Sequence, residues 1–186
     1  MVRQEASAMK RWFLRIAVVL LVGVPGLLGY GCYRYVFPYG SSHCCDKCLM
    51  FALQQYAEDH GGAYPAGEAS PEASLSLLYP EYVDAEMLRG KTVPLKLVKE
   101  RLERGERLTP ETCGWHYVEG LTLGDDRKIG LLWGKVPLGH NGQRTADGGQ
   151  VVLRVNMGYE YIPGPDWASF LEEQQRLLTE REKSKR

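Results

Sequence analysis

"IAVVLLVGVPGLLGYGCYRYVF", residues 16–37, decides the architecture of this chain. Apart from Arg34 the run carries no charge. A helix that crosses a bilayer needs about 20 apolar residues, and this stretch meets that length. Lys10, Arg11 and Arg15 precede it, and flanking basic residues mark the side that stays inside. The sequence therefore divides into a cytoplasmic N-terminus at 1–11, a transmembrane helix at 12–37 and an outer domain at 38–186. Tyr30, Tyr33, Tyr35, Phe37 and Tyr39 supply an aromatic belt on the far side, where Arg34 extends to the headgroups. Pro25 predicts a kink of the kind a membrane helix tolerates.

Two rival readings use the same residues. A cleaved signal peptide shares the basic start and apolar centre, but no small-x-small cleavage site is clear. A lipoprotein would carry its lipid on Cys32; Gly31 suits that reading and the bulky Tyr30 before it does not. The expectation is a retained anchor.

Just beyond the anchor lies "SSHCCDKC", residues 41–48. His43, Cys44, Cys45 and Cys48 are metal-ligand types, and Cys45-x-x-Cys48 suits either zinc or a thiol–disulfide couple. A closed zinc site needs four N or S ligands, and only Cys113 with His116 offers a second pair. In an oxidising space clustered cysteines form disulfides by default. A bridge from Cys44, Cys45 or Cys48 to Cys113 would staple a helix to a sheet, and such staples contribute about 2–4 kcal/mol. A redox enzyme would place Cys-x-x-Cys at a helix start within a βαβ unit, and no such unit is visible. The 5 cysteines are an odd number, so one stays free or pairs between chains.

Further along, "DKCLMFALQQYAEDHGG" (46–62) reads as a helix with Leu49, Leu53 and Tyr56 on one face, stopped by glycine. Short helical turns are expected near Ser74–Leu78 and Asp84–Arg89, and a charged surface helix in "KLVKERLERGERL" (96–108). "CGWHYVEG", "KIGLLWG", "QVVLRVNMG" and "YEYI" are short, branched or aromatic, and bounded by turn residues, which reads as antiparallel strands. The C-terminus opens on Asp166, an N-cap candidate. Trp167, Phe170, Leu171, Leu177 and Leu178 follow near helical spacing. The fold class is α+β: a membrane helix, an amphipathic helix extending it, a small antiparallel sheet beneath that helix, and a C-terminal helix.

Composition limits the function. The 186 residues carry 23 basic and 23 acidic side chains, so no charge excess points to nucleic acid. Nucleophile elbows, P-loops, dinucleotide fingerprints and His-Glu-x-x-His are absent from the sequence, and no catalytic residue or cofactor is expected. His140 and Asp147 in "GHNGQRTADGG" are metal-ligand types, but that segment, like "LGDDRK" with Asp125 and Asp126, is rich in Asp, Asn and Gly, which turns favour. Calcium wants six to eight oxygens, more than these segments cluster. His43, His60 and His116 read as surface or structural residues.

The order of these features resembles the pilin-like proteins, and more narrowly the type II secretion pseudopilin-like domain. The resemblance is carried by "KCLMFALQQYAEDHGGAYP" (47–65), "LSLLYPEYV" (75–83), "CGWHYVEGL" (113–121) and "LLWGKVPLGHNGQRTADGGQVVLRVNMGYEYI" (131–162). It implies a bacterial inner-membrane protein with a periplasmic domain. Its partners would be other pilin-like or secretion-system subunits and membrane lipid. It also implies that Asp125 and Asp126 stand where major pseudopilins hold calcium. In "KRWFLRIA" Trp12, rather than glycine, precedes Phe13, and Ala17 stands where the family's glutamate falls. The usual prepilin cleavage motif is therefore missing. The expected function is contact with other proteins; the alternative is an anchored metal- or thiol-binding module built on His43, Cys44, Cys45 and Cys48.

Overall fold

Proline shapes the first helix. In the computed structural model, which describes Trp12, residues 15–42 and residues 46–185, helix α1 runs Arg15–Val36. Pro25 has no N–H and its ring crowds the carbonyl four residues back. The turn just before it, Val19–Gly23, widens into a π-helical turn, the local form that absorbs such a break. The α1 sequence has a mean hydropathy of 1.9 over its most apolar window, and none of that window is buried. It is long and apolar enough to cross a membrane. The chain divides into two units after Pro38.

In the second unit, α2 (Asp46–Asp59) buries Asp46, Leu49, Ala52, Leu53 and Ala57. That stripe is the one expected from the sequence, with Tyr56 half-buried beside it. Gly61 and Gly62 adopt positive φ, and the Gly62 N–H returns to the Ala57 carbonyl at 2.7 Å. This bond satisfies a carbonyl the helix would otherwise leave open. Residues 37–42 are not helical, so α2 starts anew rather than continuing α1 unbroken.

An excursion of short helices follows. α3 (Pro71–Leu75) is capped by the Ser70 side chain, α4 (Ala85–Leu88) by the Asp84 side chain, each accepting an N–H three residues on. α5 (Leu95–Glu103) buries Val98 and Leu102. Its outer face pairs Lys96 with Glu100 and Lys99 with Glu103, both at 3.7 Å. Such exposed pairs add only a few tenths of a kcal/mol each.

The sheet is a meander of β1 (Trp115–Tyr117), β2 (Gly130–Gly134), β3 (Gln150–Arg154) and β4 (Tyr159–Ile162), antiparallel throughout in the order β1-β2-β3-β4. Tyr117 pairs with Leu132 and Leu132 with Leu153, so these face one side with Trp115. There they join the stripe of α2 in the main core. Trp133, Val152 and Ile162 face the other side, where α6 (Trp167–Ser184) covers them with Phe170. Burial on both faces explains why β2 reads as an apolar run rather than an alternation.

One detail corrects the sequence reading, and a second adds to it. Asp166 does not cap α6 through its side chain. It already has helical backbone angles within a 3-10 turn, Gly164–Asp166, and a capping residue needs an extended conformation to reach back. The β2–β3 pairing also slips between Gly130 and Leu132. This bulge frees backbone groups, and Gln174 of α6 takes them up. Its Oε1 accepts from the Gly130 N–H at 2.5 Å, and its Nε2 donates to the Lys128 carbonyl at 3.1 Å. Gln174→Leu removes both bonds on the buried side of α6. It should destabilise the domain by about 1–3 kcal/mol, seen as a lower urea midpoint with an unchanged m-value.

Candidate functional site

The first residue of α2 lies on that helix's apolar stripe, three positions before Leu49 and seven before Leu53. Asp46 is 1 % exposed. A carboxylate so buried requires a partner, and Lys91, 7 % exposed, supplies it. The Lys91 ammonium donates to Asp46 Oδ2 at 2.9 Å and lies 5.6 Å from the centre of the Trp115 ring. Trp115 in turn donates its indole N–H to the Met87 carbonyl at 2.8 Å. Helix α2, the turn after α4 and strand β1 meet at this pair.

A fourth segment arrives with His140. Its Nδ1 stands 3.8 Å from Asp46 Oδ2, with half the ring exposed. His140 sits in a turn closed by the Gly139 N–H on the Gln143 carbonyl at 2.7 Å. The Ser42 N–H donates to Asn141 of that turn at 2.9 Å. The Ser42 hydroxyl accepts from Arg89 Nη2 at 3.2 Å, while Arg89 Nη1 donates to the Val93 carbonyl at 3.1 Å. The segment entering the domain is thereby tied to the 139–143 turn on one side and to the residues after α4 on the other. Asp46 Oδ1 is buried and makes no hydrogen bond among the described residues.

The residues singled out from the sequence divide as follows. His43, Cys44 and Cys45 lie outside the described residues. Cys48 is exposed on the first turn of α2. Cys113 is a free, buried thiol whose hydrogen bonding is with the Leu88 and Trp115 carbonyls, at 3.7 and 3.9 Å. Cys113 carries no bridge in this structure, and its sulfur lies against those two carbonyls. Burial pushes this thiol up to about 12. A free thiol protonated that firmly is a poor nucleophile at neutral pH.

Asp125 is held by Arg181 of α6, Oδ1 at 2.5 Å from Nε and Oδ2 at 2.9 Å from Nη2, and it also accepts from the Thr122 N–H at 2.7 Å. Asp126 accepts from the Lys128 N–H at 2.8 Å. Asp147 accepts from the Gly149 N–H at 3.0 Å and from the Tyr161 hydroxyl. These carboxylates do the work of turn residues. His60 stacks on Tyr56 with ring centres 3.8 Å apart at the end of α2. His116 leans on Trp133, centres 4.3 Å apart, and burial lowers its pKa. Those two rings, with Trp167 and Leu171, border a groove of about 290 Å3. Among the described residues no three His, Cys, Asp or Glu side chains gather as a metal site.

Asp46 carried a legible signal, a charge on the apolar face of a helix. Lys91, Arg89 and Ser42 carried none, since their roles come from residues more than forty positions away in the chain. Lys91→Met strands the Asp46 carboxylate in the core and should cost about 3–5 kcal/mol. The double change Asp46→Leu with Lys91→Met should recover most of that loss, because the pair's desolvation penalty goes with it. Thermal unfolding of the two variants in detergent checks the order. Comparison with known protein families, with characterised proteins and with solved structures finds no match for this chain.

Proposed function

We propose that this chain is a pseudopilin-like envelope protein of the bacterial inner membrane, anchored by α1, whose periplasmic domain acts through contact with other subunits. One observation carries the reading. An unburied apolar helix of spanning length leads by a short segment into an α+β unit. In that unit a second helix packs its apolar stripe on an antiparallel four-stranded meander. The polar groups gathered at Asp46 support it: they tie the entering segment, the 139–143 turn and strand β1 together, as a domain that transmits contact through its shape requires. Lys10, Arg11 and Arg15 before the span support the orientation.

A second reading is favoured by a separate observation. Asp46 has a buried acceptor oxygen that makes no hydrogen bond among the described residues, with His140 3.8 Å from its other oxygen, and it follows His43, Cys44 and Cys45 directly in sequence. In this reading the domain is an anchored metal- or thiol-binding module.

One preparation separates the two. The full chain is expressed in a bacterial host, and its membranes are washed with carbonate, treated with protease from the periplasmic side and analysed for zinc. The first reading expects the chain to stay in the pellet, its outer domain to be digested in spheroplasts, and cross-linking to give species above the monomer. Stoichiometric zinc that is lost on Cys45→Ser, with the chain monomeric, selects the second. Release by carbonate contradicts both.

A further inference from the structure

Four aromatic side chains are exposed among the described residues beyond Pro38: Tyr39, Phe51, Tyr159 and Tyr161. Phe51 is the most anomalous. It sits on the face of α2 opposite the buried stripe, between Lys47 and Gln55, and is 58 % exposed. Lys47 lies one turn before it on the same side of the helix, and its ammonium stands 5.2 Å from the centre of the Tyr159 ring. The outer face of α2 therefore adjoins the free edge strand β4. Tyr159 and Tyr161 lie on the same face of β4, opposite Leu153 and Val151 in the register. The Tyr161 hydroxyl bonds Asp147. The other exposed large apolar residues of this unit, Leu95, Leu97 and Leu171, are aliphatic and sit on α5 and α6. The aromatic residues are thus segregated from the aliphatic ones.

We propose that this face, Lys47, Phe51, Tyr159 and Tyr161, docks on the headgroup region of the bilayer. The inference rests on α1 being a membrane anchor. Two properties select lipid as the occupant. First, the chemistry is interfacial: aromatic rings that bury in the headgroup layer, with phenol hydroxyls and an ammonium that stay wet. Second, the tether is short. The chain from Phe37, where the apolar run ends, to Ser42, which is held by Asn141 and Arg89, spans at most about 18 Å when fully extended. A bilayer surface is therefore always within reach of this face, whereas any protein partner must diffuse to it. A short link raises the effective concentration of such a second contact.

The test uses the full chain in vesicles of phosphatidylcholine and phosphatidylglycerol. A photoreactive benzoylphenylalanine replaces one residue at a time, at Phe51, at Leu28 within α1 and at Leu97 on α5. After irradiation and digestion, adducts are read by mass. The proposal expects lipid adducts at 51 and at 28, and a loss of adduct to background at 97. Lipid at 28 with none at 51 overturns the docking and leaves the anchor standing. So does a protein adduct at 51, which would make the face a contact with a second copy. No lipid at 28 removes the anchor, and the docking falls with it.

Discussion

A carboxylate and an ammonium that neither water nor turn geometry can satisfy hold the second unit in register. Asp46 and Lys91 are both buried, and their mutual bond at 2.9 Å is what permits either charge to be there. Such a pair adds little net stability against an apolar equivalent, because desolvation offsets most of the attraction. Its effect is on arrangement. With Lys91 roofed by Trp115 and Asp46 at the first position of α2, the start of that helix is fixed against strand β1. Leu49 and Leu53 then fall opposite Leu132 and Leu153 in the main core. Slipping α2 by one residue would turn Asp46 from the ammonium and rotate the stripe about 100° off the sheet.

The sheet is equally constrained from its other side. Trp133, Val152 and Ile162 cannot face water, and α6 supplies Phe170 above them. The same helix delivers Gln174 to the bulge in β2 and Arg181 to Asp125. One C-terminal helix thus covers an apolar face, satisfies an interrupted ladder and neutralises a turn carboxylate. The aromatic cluster of Trp133, Trp167 and Phe170, with ring centres 5.0–6.2 Å apart in edge-on and tilted contacts, has the spacing at which such pairs attract.

Local chemistry was legible in the sequence. The α2 stripe, its glycine stop, the short helical turns near Ser74–Leu78 and Asp84–Arg89, and strands bounded by turn residues all follow from rules acting over a few positions. Pro25 foretold a disturbance in α1, although its form, a π-helical turn, depends on how the carbonyls behind it rearrange. Long-range chemistry was not legible. Nothing near Lys91 says that it will meet Asp46, and Gln174 resembles any polar residue of a surface helix until the bulge beneath it is known. Cys113 invited pairing with the cysteine-rich stretch, yet the sulfur lies under Leu88 and Trp115 as a small apolar group does. His140, read as a turn residue, arrives beside Asp46 because the 139–143 turn accepts a backbone bond from Ser42.

The account turns on α1 remaining part of the mature protein. Intact mass and N-terminal sequencing of the chain purified from membranes test this most directly. The account predicts an uncut chain, with or without Met1, and no lipid on Cys32. A mature N-terminus inside residues 16–37, or a lipid-modified Cys32 at its start, would contradict it, since the outer domain would then have no spanning helix to hold it at the membrane.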